Sequence, residues 1–206
     1  MKHFLFVLIF FSVKSFGGVA EFKLSKSIFE NSALPFISHQ GSGPFDTYLT
    51  MEIQFEPMAE LFRQLLILKR IPLTSRGESH ITVVTPVEFN DVLKSKLITM
   101  NEIDSIAKNA AIQSSAFEVV CVGKGSLEIE KKLEQTFYVV VRSPALIKIR
   151  EEVQKLFVKK GGDANLLKPT QYYPHITLGF TKRDLHESDG VTKDERSCFG
   201  DLSLVK

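Results

Sequence analysis

Residues 172–180 read Tyr172-Tyr173-Pro174-His175-Ile176-Thr177-Leu178-Gly179-Phe180, and residues 80–85 read His80-Ile81-Thr82-Val83-Val84-Thr85. Each is a short run of β-branched and aromatic residues with loop-forming sequence before it, and each reads as a strand. Both contain the tripeptide His-Ile-Thr, first at position 80 and again at position 175, 95 places later. Alternate side chains of an extended chain share a face, so the imidazole and the hydroxyl of each tripeptide point one way and the isoleucine the other. The echo suggests two similar lobes, each contributing one such strand.

The flanking sequence supplies the rest of the fold. Residues 48–55 alternate as a strand and run into an amphipathic helix over about 57–70. Pro86 opens a helix through Val87, Phe89, Val92 and Leu93, and Thr99-Met100-Asn101-Glu102 has the form of a capping box for a helix ending near Gln113. Two strands are expected at 116–123 and 136–142, with a charged, hairpin-like connection over 124–134. Ser143-Pro144 starts a further helix that stops at Gly161-Gly162. Residues 21–46 are mixed, with loop at 38–44, and the charged tail from Thr181 carries one late strand near 202–205. Strands interspersed with helices, mostly in antiparallel order, make this an α+β chain.

Composition bounds the function. With 206 residues, 44% hydrophobic and 24% charged, the chain can bury one real core and is neither disordered nor collagen-like. Met1-Lys2-His3, the apolar run 4–13 and Gly18-Val19-Ala20 match a secretory signal over residues 1–20, leaving a single domain over 21–206. No later window is apolar for the roughly 20 residues a membrane helix needs, so no stable membrane insertion is expected after cleavage. Loss of Lys2 and Lys14 takes the 26 basic residues to 24, equal to the 24 acidic ones. A near-neutral chain without a basic stripe is a poor match for long nucleic acid. Cys121 and Cys198 are the only cysteines. In an oxidising compartment they could form one disulfide, while Cys121 reads equally well as a buried thiol among valines.

Two His-x-Thr strands brought together would aim two imidazoles and two hydroxyls at one small volume. Such a site suits a phosphodiester. The hydroxyls of Thr82 and Thr177 hold non-bridging oxygens, one neutral histidine takes a proton from the attacking group, and the other, protonated, gives one to the departing oxygen. Histidine can do both near neutral pH because its ordinary pKa is about 6.5. Neither a metal nor a cofactor is expected, since no clustered His/Cys spacing is present. A single histidine on such a strand is more often a packed core residue; two copies of the pattern bring a site level with that reading.

The motifs His80-Ile81-Thr82-Val83 and Pro174-His175-Ile176-Thr177-Leu178-Gly179 resemble the paired signatures of the two-histidine (2H) phosphoesterases. The context from Gly77 to Phe89, the Cys121-Val122-Gly123 strand and Tyr172 through Val191 is similar to the Swiss Army Knife RNA repair-like members. The resemblance covers most of residues 47–193. It implies a bilobal fold in which two mainly antiparallel sheets form a central cleft with helices outside. It also implies metal-independent phosphodiester chemistry at His80, Thr82, His175 and Thr177. The expected activity is hydrolysis of a cyclic or 2′-linked phosphodiester in a small nucleotide or short single-stranded RNA, by a secreted monomer. The alternative is a non-catalytic secreted module that holds a nucleotide or phosphate in the same cleft.

Secondary candidates flank the second motif. Tyr172 and Tyr173 could stack on a base, with core packing an equal reading for one of them, and Lys182 and Arg183 could clamp a phosphate, although charges at a strand end are usually just solvated. His186, among Asp184, Glu187 and Asp189, reads as a surface histidine. His39 lies in a Gly-Ser loop that could cover the cleft.

Overall fold

The computed structural model describes residues Val19 to Lys206; the expected signal segment lies, but for its last two residues, outside the described residues. Seven strands form one sheet: β1 (Ala20–Ser25), β2 (Leu49–Glu52), β3 (His80–Val84), β4 (Glu118–Ile129), β5 (Lys132–Arg142), β6 (His175–Phe180) and β7 (Cys198–Val205), in the order β1-β7-β4-β5-β6-β3-β2. All neighbours are antiparallel except β1 and β7. Among the described residues three α-helices accompany them: α1 (Phe55–Lys69), α2 (Met100–Asn109) and α3 (Pro144–Lys159). The α+β class holds, but a single mixed sheet stands where two sheets were expected.

The echo of the two tripeptides nonetheless has a structural counterpart. The helix α1 links the antiparallel neighbours β2 and β3, and α3 links the antiparallel neighbours β5 and β6. Each β-α-β unit ends in its His-Ile-Thr strand, and the two units meet edge to edge where Ile81 of β3 pairs with Ile176 of β6. The order β5-β6-β3-β2 is therefore symmetric about that junction. The two units are halves of one sheet, not two separate sheets about a cleft.

Alternation along the strands sorts the two faces. Ile81, Val83, Ile176, Leu178, Phe137, Val139 and Val141 join Leu61 and Leu65 of α1, Ile103 of α2, and Leu146, Ile149, Val153 and Phe157 of α3 in one buried core. Each such side chain contributes roughly 1.5–3 kcal/mol by leaving water. The opposite face carries His80, Thr82, His175 and Thr177. The helices thus support the sheet from behind and leave the histidine face free of them.

The helix starts follow the sequence signals. Ser143 accepts a hydrogen bond from the Leu146 amide, and Thr99 and Glu102 form the reciprocal capping box. Three elements differ from expectation. The stretch from Pro86 forms a π-helical segment over Glu88–Leu93 rather than an α-helix. The 124–134 connection is strand almost throughout: β4 and β5 pair from Glu118↔Arg142 to Ile129↔Lys132. Their turn is Glu130-Lys131 with φ of 53° and 63°, a left-handed pair usually built from Asn-Gly. The strand β1 went unread because its lone apolar alternation is short and its partner, β7, is 180 positions away in register (Ala20↔Gly200).

Cys121 and Cys198 form a disulfide, with Cα atoms 5.7 Å apart, across the β4–β7 pair. It closes a separation of 77 residues and ties the C-terminal strand to the hairpin beside the histidine face.

Candidate active site

The pairing of Ile81 with Ile176, continued one residue either way, sets His80 opposite Thr177 and Thr82 opposite His175. The four side chains form a two-by-two array on one face. The histidines occupy diagonal corners, which in an antiparallel pair lie about 7–8 Å apart. All four predicted residues are therefore brought together.

His175 is fully specified at one nitrogen. Its Nδ1 lies 2.8 Å from the Tyr173 carbonyl, which can only accept, so Nδ1 carries the hydrogen. The Nε2 lone pair then receives the Lys193 ammonium at 3.1 Å. Lys193 is 3% exposed and also donates to Asp184 Oδ1 at 2.7 Å. Asp184 collects further donors: Thr136 Oγ1 at 2.6 Å and Thr177 Oγ1 at 3.0 Å, with Arg76 Nη1 at 3.9 Å. The one hydroxyl proton of Thr177 is thus committed to a carboxylate. Thr82 makes no side-chain hydrogen bond among the described residues, and its carbonyl accepts from Tyr172.

His80 is the more enclosed imidazole, 8% exposed, with its Nδ1 unpartnered and 3.6 Å from Glu78. Beside it stands Tyr48, ring centroids 6.1 Å apart, and on Tyr48 stacks His39 at 4.2 Å and 14°. His39 Nε2 faces Glu52 at 3.5 Å, and Thr50 donates to the same carboxylate at 2.7 Å. The His39 loop therefore does reach the site. Its stacked pair forms an aromatic wall at the sheet edge.

Tyr138 backs His175 edge-on at 5.7 Å, with the Lys193 ammonium over its ring. Gly123 makes room for that ring: a Cβ there would sit 2.4 Å from Tyr138 Cε2. Gly179 in the second motif is needed for a similar reason, since a Cβ would lie 2.9 Å from the Thr74 carbonyl that pairs with Phe180.

The flanking candidates fall differently. Tyr172 is a packing residue. Its hydroxyl donates to the Thr82 carbonyl at 2.9 Å, the buried Arg150 guanidinium lies over its ring at 4.6 Å and closes that face to a base, and the side chain packs against the core. Tyr173 is half-buried and contributes its carbonyl to His175. Arg183 is held in a bidentate pair with Asp189 at 2.6 and 2.7 Å; it braces the 183–189 loop that presents Asp184 instead of facing the histidines. Lys182 is exposed. Asp184, Lys193, Arg76, Thr136, Tyr138 and Tyr48 were not read from the sequence. Lys193 sits in the run Thr192-Lys193-Asp194-Glu195-Arg196, which looks like any solvated tail.

Electrostatics hold both imidazoles neutral in the free protein. Burial, with Arg76 and His39 nearby, lowers His80 to about 4. Burial and the Lys193 cation lower His175 to about 3. Burial alone would raise Asp184, but Lys193, His175 and the hydrogen bonds from Lys193 and Thr136 overrule it and keep the carboxylate ionised. Burial lowers Lys193, and Asp184 opposes that.

These shifts make stability pH-dependent. A histidine whose pKa is depressed in the folded state refuses a proton that the unfolded chain accepts near 6.5. Its contribution is complete above 6.5 and is lost as pH falls toward 4 for His80 and 3 for His175. For the well-buried His80 the slope is about 1.4 kcal/mol per pH unit. Denaturant unfolding at pH 7 and 5.5 should show a loss of about 1 kcal/mol from His80 and a similar one from His175, and His80→Asn should remove the first and keep the second. An unchanged slope in that variant would contradict the depressed pKa.

A family model described as Swiss Army Knife, 2H phosphoesterase domain, matches residues 47–186. No curated protein and no solved structure matches the chain.

Proposed function

The chain belongs to the Swiss Army Knife 2H phosphoesterases, and from that premise we propose that it is a phosphodiesterase that uses His80 and His175 as an acid–base pair on a cyclic or 2′-linked phosphodiester. The observation that carries this reading is the diagonal placement of the two imidazoles on one sheet face, each across from the other motif's threonine. The two histidines stand at strand positions about 7–8 Å apart, close enough for one phosphate to lie between their rings, with one nitrogen toward the entering oxygen and the other toward the departing one. In the reaction a water or hydroxyl O–H gives its proton to one imidazole as its oxygen bonds to phosphorus. The other imidazole, protonated, gives its proton to the leaving oxygen as the P–O bond breaks.

Both histidines are neutral in the free protein, so the acid must be charged when substrate binds. A phosphodiester anion within about 4–6 Å favours the imidazolium and supplies that shift. Thr82, with its hydroxyl free, is the better placed of the two threonines to donate to a non-bridging oxygen, and Arg76 adds positive charge at the same mouth.

A small nucleotide or short single strand is the favoured substrate. The His39–Tyr48 wall beside His80 supplies a stacking surface, and base-aromatic stacking contributes about 1–3 kcal/mol. Tyr48→Ala is accordingly expected to raise KM on a nucleotide substrate about tenfold while leaving kcat within a factor of about three. A change in kcat without one in KM would remove the stacking role. The disulfide Cys121–Cys198 supports a secretory destination, since such bonds persist in oxidising compartments.

The direct test is incubation of the mature chain with 2′,3′-cyclic mononucleotides and 2′-5′ dinucleotides in the presence of EDTA. Product formation supports the reading and a metal-independent reaction together. Calorimetric binding without turnover would establish the alternative, a nucleotide-binding module.

A further inference from the structure

Both ring nitrogens of His175 are occupied, and by groups of different kinds. The Tyr173 carbonyl fixes the hydrogen on Nδ1. A second proton can therefore enter only at Nε2, and the group in hydrogen-bond contact there is the Lys193 ammonium at 3.1 Å. Among the described residues no other cation contacts either catalytic imidazole at that distance. Lys193 lies seven residues beyond the span 47–186 that defines the family match, in the loop that precedes β7, and burying a lysine to 3% exposure is costly unless its charge is used or paired.

Resting on the acid–base reading above, we infer that Lys193 is the proton store of the acid half of the site, acting through His175, which makes His175 the acid and His80 the base. The ammonium passes a proton to Nε2 as the anionic phosphodiester enters, and the leaving oxygen takes the hydrogen-bond position on Nε2 that the ammonium gives up. The imidazolium then gives that proton to the leaving oxygen as the P–O bond breaks, while His80 takes the proton of the attacking water. The neutral Lys193 amine stays on Asp184, which already holds it at 2.7 Å, and solvent exchange returns a proton from His80 to Lys193 after product leaves. The groups facing His175 are all accounted for: Lys193 and Asp184 on its Nε2 side, Tyr138 from β5 against its ring, the Tyr173 carbonyl on Nδ1, and His186 from the following loop. Lys193 in turn faces Asp184, Arg76, Asp189 and the Tyr138 ring. Lys193 is thus a positioning residue whose proton, not only its charge, is used.

The test compares leaving groups. On a 2′-5′ dinucleotide, whose ribose oxygen needs a proton to depart, Lys193→Met should lower kcat about a hundredfold. On a nitrophenyl ester of a nucleotide, whose leaving oxygen is stable as an anion, the same variant should lose less than about tenfold. Lys193→Arg is the sharper probe, because arginine keeps the charge but does not release a proton. It should preserve KM yet lose kcat on the dinucleotide as Lys193→Met does, and in both variants the alkaline limb of the kcat profile should move to lower pH. The double variant Asp184→Asn/Lys193→Met, which buries no unpaired charge, guards against simple misfolding and should reproduce the leaving-group difference. Equal losses on both substrates, restoration by arginine, or no effect of Lys193→Met would overturn the inference while leaving the phosphodiesterase reading intact. A wild-type protein inert on both substrates, or a His80→Ala variant with full activity, would overturn that reading and the role of Lys193 with it.

Discussion

His175→Ala is expected to lower turnover of a cyclic or 2′-5′ phosphodiester by two to four powers of ten, about 3–5 kcal/mol of transition-state stabilisation, and His80→Ala by a similar amount. Neither loss should come from unfolding. Removing the His175 ring leaves Lys193 paired with Asp184 at 2.7 Å, so no buried charge is stranded. Removing the His80 ring deletes a nitrogen that has no partner in the free protein. Proton removal and proton delivery are steps of one displacement, so the double variant should be about as slow as the worse single one, instead of showing the product of both losses. Rates measured with the dinucleotide, alongside near-unchanged denaturation midpoints, check the claim. Activity within tenfold of wild type after either replacement would exclude the two-histidine chemistry.

That site was only partly legible in the sequence, for reasons that can be named residue by residue. Side-chain alternation places His80 beside Thr82 and His175 beside Thr177 without any tertiary knowledge, and the repeated tripeptide points to convergence. The helices announced themselves because local chemistry decides them: Ser143-Pro144 and the Thr99–Glu102 capping box recur in the structure as expected. What escaped was set by long-range register. Whether the two lobes make two sheets or one depends on the single pair Ile81↔Ile176. The strand β1 depends on a partner at the opposite end of the chain. The hairpin-like link between β4 and β5 is legible but its length is not, because its outer half is charged and its turn uses Glu130-Lys131 in place of the usual glycine, so residues 124–134 read as connection and not as strand. The aromatic type of Tyr172 leaves stacking and core packing both open, and the guanidinium above it, from Arg150 on α3, which decides for packing, is not visible in the sequence. Lys193 and Asp184 were unreadable on principle. A lysine in a charged tail becomes a buried one only when the tail folds back against the sheet.

Asp184→Ala should cost about 3–5 kcal/mol of stability and at least a hundredfold in turnover, the largest combined effect of any change outside the two histidines. Asp184 accepts hydrogen bonds from Thr136, Thr177 and Lys193 and is 9% exposed. Its loss leaves the Lys193 ammonium buried with only a neutral imidazole for company, and an unpaired buried charge is what makes such changes costly. Lys193 can respond by giving up its proton or by swinging out to water, and either response vacates Nε2 of His175. The same change frees the Thr177 hydroxyl, so weaker binding of phosphate is not expected; kcat should fall and KM should hold. Asp184→Asn separates charge from shape, because the amide oxygen can still accept from Thr136 while the attraction to Lys193 is gone. It should recover less than half of the lost stability, whereas adding Lys193→Met to it should recover most of it by removing the stranded charge. Urea denaturation of wild type, Asp184→Asn, Lys193→Met and the double variant forms a double-mutant cycle. A coupling energy near zero between positions 184 and 193 would show that the ion pair does not hold this corner of the site.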